Sequence, residues 1–83
     1  MSNPLEQLNH YRAQVEDIDY EIHKLLTERF KVTGLIGKVK IELNLPIENL
    51  KVEAFKLKAV DPMLKSIYQE IFNVSKQCQS IIE

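Results

Sequence analysis

Residues 8–43 read LNHYRAQVEDIDYEIHKLLTERFKVTGLIGKVKIEL, and this stretch decides the fold. Its apolar residues fall at Leu8, Tyr11, Val15, Ile18, Ile22, Leu25, Val32, Ile36, Val39 and Leu43, in steps of three and four broken only between Leu25 and Val32. Such steps return to one face of a helix, because each residue turns the chain by about 100°. The seam runs for about five heptads with no proline inside it. Gly34 and Gly37 each cost roughly 1 kcal/mol relative to alanine, so packing has to carry the helix past them. Pro46 ends it, since proline has no N–H to donate and restricts the residue before it. The first helix is expected over roughly residues 5–44.

Beyond Pro46, Asn49 is placed to cap a short second helix over about residues 50–59, with Val52, Phe55 and Leu57 turned inward. Asp61 followed by Pro62 has the pattern of an N-cap and a first helical position. It opens a third helix running nearly to the last residue, with Leu64, Ile67, Ile71, Cys78 and Ile82 facing inward. The fold class is therefore all-α, with one very long, one short and one medium helix per subunit.

The 83 residues hold one small domain, taken as residues 1–83, and 45% hydrophobic with 28% charged residues is the composition of a chain that folds. A domain of this size buries only about 60% of its unfolded surface, so a disulfide, a metal or a partner usually supplements the core. Cys78 has no second cysteine to pair with, and no His, Cys or Asp cluster has metal-ligand spacing. A partner subunit remains. A 40-residue helix is about 60 Å long, whereas a compact globule of this length has a radius of gyration of about 12 Å. The helix must protrude, and its apolar seam calls for a second copy, most simply in a symmetric homodimer.

Eleven basic and twelve acidic residues leave a formal charge of −1, without the basic excess of a nucleic-acid-binding surface. No apolar run approaches the roughly 18 residues that span a bilayer, and Met1-Ser2-Asn3-Pro4 lacks the basic and apolar regions of a signal peptide. A cytoplasmic protein is expected, with neither nucleic acid nor membrane as partner. His10 and His23 have no catalytic partner in suggestive spacing, Cys78 has no evident base, and Lys51, Lys56, Lys58 and Lys65 read as a solvated face. No glycine-rich phosphate loop is present.

The seam has one exception. Arg29 occupies the slot between Leu25 and Val32, and reads either as a snorkelling or ion-paired arginine, with Glu28 or Glu53 as partner, or as a ligand-binding cation. Lys40 lies 11 residues on, which returns to within about 20° of the same face about 16 Å along the axis. Two long cationic side chains sharing a face can meet one small anion, the guanidinium bidentately and the ammonium as a point charge. In the third helix Ser75 and, one turn later, Gln79 put polar groups on the inward stripe. Each alone reads equally as a hydroxyl bonded to its own helix or a rim glutamine. Together with Arg29 and Lys40 they suggest a polar pocket lined by helices.

The ordered set Arg12, Ile18-Asp19, Leu25-Leu26-x-Glu28-Arg29, Ile36-Gly37-x-x-Lys40, Pro46, Glu53, Ser75 and Gln79 resembles the all-helical chorismate mutases, from about Leu5 to Gln79. The resemblance implies an intertwined helical homodimer that converts chorismate, a small dicarboxylate, to prephenate by a Claisen rearrangement needing no cofactor. It implies that Arg29 binds a substrate carboxylate, that Lys40 and Gln79 bond the breaking ether oxygen, that Glu53 bonds the ring hydroxyl and that Ser75 supports a carboxylate contact. Asn49 is counted with the substrate-binding residues. Arg12 lies 17 residues before Arg29, about 26 Å along the helix and roughly 100° off its face. One helix cannot bring both to one ligand, and the resemblance implies that Arg12 enters the partner subunit's site.

Two departures stand out. Where the family carries an arginine before the glutamate, this chain reads Lys51-Val52-Glu53. Loss of that charge-assisted bond, worth about 1.5–3 kcal/mol, predicts low activity. Lys51 is the possible substitute, although one residue's shift turns it about 100° around the helix. The interval from Glu53 to Ser75 is also short for the family, by about two or three helical turns. Two alternatives to the mutase follow: an isochorismate–pyruvate lyase sharing the fold, and a catalytically weak binding or regulatory dimer serving a partner enzyme of aromatic biosynthesis.

Overall fold

A computed structural model describes residues 3–80 of the chain. Helix α1 spans Pro4–Glu42, α2 spans Leu50–Ala59 and α3 spans Lys65–Ser80, with a single 3₁₀ turn at Pro62–Leu64 leading into α3. No strand occurs among the described residues. Ile82, expected on the inward stripe, and Met1 and Ser2 lie outside them.

Local chemistry accounts for each boundary. Asn3 caps α1, its side chain accepting from Glu6 N at 2.8 Å, and Pro4 takes the first turn, where an N–H would have no partner. The far end comes two residues earlier than expected, and the stop is Asn44 rather than Pro46. Asn44 adopts a left-handed conformation (φ 56°), Asn44 N donates to Ile41 O at 3.1 Å, and Leu45 N reaches back to Lys40 O at 2.8 Å. This paired 5→2 and 6→1 pattern closes the orphan carbonyls of the last turn, and asparagine tolerates the conformation it needs. Asn49 caps α2 through Val52 N at 3.2 Å. Asp61 accepts from Met63 N at 2.9 Å, as the Asp-Pro pattern predicts, although it opens the 3₁₀ turn and α3 proper begins at Lys65.

The molecule is long and flat, 62 × 29 × 13 Å, with a radius of gyration of 17.8 Å. α3 packs on the C-terminal half of α1, and α2 packs on α3. Arg29 meets Ser75, whereas Gly37 and Lys40 meet Gln79, so the two long helices run in the same sense where they cross. Among the described residues, the N-terminal half of α1 is exposed and stands free of the other helices.

The apolar seam of α1 is uncovered in the single chain, as expected of a helix that protrudes, and several residues of α2 and the third helical region read as inward are on the surface as well. The seam from Leu8 to Leu43 is exposed throughout, because α3 covers the neighbouring face of α1, through Phe30, Thr33 and Gly37. Phe55 is 75% exposed, and Val52, Leu64 and Ile67 are exposed as well. α2 instead half-buries Glu53 and Leu57. Among the described residues the one buried hydrophobic side chain is Phe72, 4% exposed, and it shares the helix crossing with buried Thr33, Ser75 and Gln79.

Candidate active site

One stripe of α1 builds the first wall. Arg29, Thr33 and Gly37 follow at four-residue steps and Lys40 three residues later, so all four share the face that α3 crosses. Gly37 sets how closely α3 approaches, since a β-carbon there would stand 2.5 Å from Gln79 Cα. That contact brings the polar side chains of two helices within hydrogen-bonding reach.

α3 supplies Ser75 and Gln79 one turn apart. Ser75 Oγ donates to the Ile71 carbonyl at 2.7 Å. Its single proton being so used, its lone pairs accept from Arg29 Nη1. The guanidinium also lies over the Phe72 ring, Cζ 5.7 Å from the centroid, a cation–π distance. Neither Glu28 nor Glu53 pairs with Arg29, so the ion-paired reading of this residue is not the one that forms. Serine and phenylalanine fix the guanidinium without neutralising it.

Lys40 Nζ donates to Gln79 Oε1 at 2.9 Å and to the Ile47 carbonyl at 2.8 Å. An ammonium only donates, so the amide must present its oxygen to Lys40, which leaves the Gln79 N–H₂ as a donor directed elsewhere. The Ile47 carbonyl is in place because the left-handed turn at Asn44 folds residues 45–49 back along the end of α1.

These groups surround a cleft of about 290 Å³, lined also by Asn49, Val52 and Glu53. That is the low end of the size range of small-molecule sites. A roomier groove of about 480 Å³ lies elsewhere between α1 and α3, lined by Leu26, Phe30, Ile67, Ile71 and Val74 among others, but its surface is almost wholly apolar and offers a charged ligand no cation.

Of the residues singled out in the sequence, Arg29, Lys40, Asn49, Glu53, Ser75 and Gln79 therefore line one cleft. Arg12 does not: it is exposed on the free half of α1. Lys51 is exposed and outside the cleft lining, whereas Val52 is part of it. His10 and His23 are exposed, and Cys78 is half-buried with a free thiol.

The sequence reading missed Lys76. Its ammonium lies 3.0 Å from Glu48 and 3.1 Å from Glu53, and the hydrogen bonds it donates to those two carboxylates, Glu48 first, raise its pKa above the usual lysine value. The available signal was that residues 66–80 contain no other basic residue.

The model of chorismate mutase type II matches residues 11–80. The chain belongs to the chorismate mutase type II family. The match contains every cleft residue named above, and Arg12 with them. Another family resemblance is to a bifunctional chorismate mutase/prephenate dehydratase of Aquifex aeolicus (strain VF5), 34% identical over 68 residues, which are 82% of this chain and 19% of that protein. The chain thus spans about a fifth of the length of that relative. A solved structure, a conserved hypothetical protein from Pyrococcus furiosus, is 38% identical and superposes with a TM-score of 0.81 over 95% of this chain and 99% of its own.

Proposed function

We propose that this chain is a chorismate mutase, rearranging chorismate to prephenate in a cleft completed by Arg12 of a second subunit. The observation that carries the reading is the joint lining of one cleft by Arg29, Lys40, Glu53, Ser75 and Gln79. The reaction is an intramolecular Claisen rearrangement: the ether C–O bond breaks as a C–C bond forms, no atom enters or leaves, and no group needs to accept a proton. Negative charge gathers on the ether oxygen, where fixed donors lower the barrier, and holding the compact conformer removes an entropic one. Lys40 and the Gln79 amide are those donors. Arg29, steadied by Ser75 and Phe72, takes a carboxylate, Glu53 accepts from the ring hydroxyl, and Asn49 lines the same end.

An intertwined homodimer is part of the proposal. Ordering each residue costs about 1–2 kcal/mol of backbone entropy. Complete burial of a phenylalanine offsets about 1.5–3 kcal/mol, and Phe72 is the one buried hydrophobic residue among those described. Covering the seam from Leu8 to Leu43 with a second copy supplies the missing apolar burial, and brings Arg12 of that copy toward the cleft.

Following chorismate loss by absorbance and identifying the product by chromatography tests the reading. Prephenate is the expected product. Pyruvate would instead identify an isochorismate–pyruvate lyase when isochorismate is supplied. A folded dimer without turnover would support the second reading, a binding or regulatory subunit, which the uncharged Val52 in the cleft favours. Its partner class is then a prephenate-consuming enzyme, as in the bifunctional relative's pairing of activities.

A further inference from the structure

A dicarboxylate in this cleft needs cations at two separate places. Of this chain's own residues Arg29 meets that need at one, beside the Arg12 proposed to enter from the second subunit, while Lys40 is held between Ile47 O and Gln79 Oε1. α2 offers Val52, which has no donor, and Lys56, which lines the cleft but is exposed and makes no ion pair. Lys76 is different. It lines the cleft from α3, its side chain is 24% exposed, and its ammonium is already held by two carboxylates that differ in setting. Glu53 lines the cleft and is 16% exposed, whereas Glu48 reaches in from the α1–α2 connection, lies outside the lining and is 55% exposed. One contact is built into the cleft wall, and the other is a rim contact that water screens and that exchanges readily.

We propose that Lys76 is the second carboxylate-binding cation that this chain itself supplies to the cleft, in addition to Arg29 and to the second subunit's Arg12, and that Glu48 is a placeholder anion which the substrate carboxylate displaces. A tetrahedral ammonium with three donors can keep Glu53 while trading Glu48 for the incoming carboxylate. This moves to α3 a charge that α2 lacks at Val52. It also pins the Glu53 carboxylate during binding, so that Glu53 stays oriented for a substrate hydroxyl. The inference rests on the reading of the cleft as a chorismate site.

Steady-state kinetics of the full chain with chorismate, on Lys76→Met, Lys76→Arg and Glu48→Gln, test it. Losing a charged donor should raise KM by about tenfold or more in Lys76→Met, and Lys76→Arg should restore most of it. Glu48→Gln is the decisive variant, being a rim substitution with little demand on folding. Removing the competing anion should lower KM below that of the natural chain with kcat unchanged. A tie between helices that served only the fold would give the opposite result, an unchanged or higher KM with a lower melting temperature, and would overturn the proposal. So would a Lys76→Met chain of normal helicity with the natural KM. If the natural chain neither turns over chorismate nor binds it in calorimetry, the chorismate reading fails and this inference with it. Turnover with Lys76-independent KM sinks this inference alone.

Discussion

Gly37 and Gln79 meet backbone to backbone: a β-carbon on residue 37 would stand 2.5 Å from both the Cα and the carbonyl oxygen of Gln79. Backbone cannot swing aside as a flexible side chain can, so Gly37→Ala must push α3 away from α1. The helix gains about 1 kcal/mol in propensity from alanine, but overpacking a close contact costs about 1–3 kcal/mol, and the cost should win. The same displacement would lengthen the 2.9 Å bond from Lys40 to Gln79. A lower melting temperature and reduced kcat are expected together.

Gly34 is the internal control. Its nearest neighbour for an added β-carbon is the Cys78 carbonyl oxygen at 3.9 Å, an ordinary contact. Gly34→Ala should therefore stabilise the protein, by up to about 1 kcal/mol from helix propensity alone. Thermal unfolding of the two variants side by side should move in opposite directions. Equal destabilisation would contradict the separation drawn between these two glycines.

Phe72 joins the packing of the crossing to the orientation of the site, since its ring fills the α1–α3 contact and carries the Arg29 guanidinium on its face. Truncating a buried phenylalanine typically costs about 3–5 kcal/mol, a large share of the stability of any small domain. Phe72→Ala should leave the chain largely unfolded by circular dichroism at room temperature. Phe72→Leu should keep the fold and raise KM, because the apolar volume is mostly retained but the cation loses its aromatic seat.

Helix limits were legible in the sequence where the signal is local. Asn49 caps α2 at the position its side chain predicts, and Asp61-Pro62 marks the start of the last helical region. The end of α1 was misread because Pro46 is the louder signal, although Asn44 in a left-handed conformation stops the helix first. Periodicity identified an apolar stripe on α1, and the length of the helix called for a second copy to cover it, but a helix wheel does not say which face α3 of the same chain covers. Two adjacent faces were thus merged: the seam exposed in the single chain and the polar stripe through Arg29, Thr33, Gly37 and Lys40 that α3 covers. That stripe was half visible, as Arg29 breaks the apolar pattern and Lys40 returns to within about 20° of its face, while Thr33 and Gly37 do not advertise a contact. Lys76 escaped because its significance depends on Glu48, 28 residues away and positioned by the turn at Asn44.

Gln79 should separate chemistry from binding. With its carbonyl oxygen on Lys40, its amide N–H₂ is the donor proposed for the ether oxygen. Gln79→Leu retains the volume at the crossing but removes that donor, so kcat should fall about 10²-fold or more, as for other donors aimed at a developing oxyanion. KM should change little, because the contact strengthens mainly in the transition state. A raised KM at normal kcat would assign Gln79 to ground-state binding instead.

Arg12 and Arg29 provide the test of subunit sharing. They lie about 26 Å apart along one helix, so if both serve one substrate they come from different chains. Arg12→Ala and Arg29→Ala should each be inactive as homodimers, every site lacking one arginine. Unfolding an equal mixture and refolding it yields mixed dimers in which one site carries both substitutions and the other carries neither. Random pairing makes half the dimers mixed and one site in each intact, so the mixture should recover about a quarter of the natural activity. A mixture no more active than its two components would mean that Arg12 does not act across the interface.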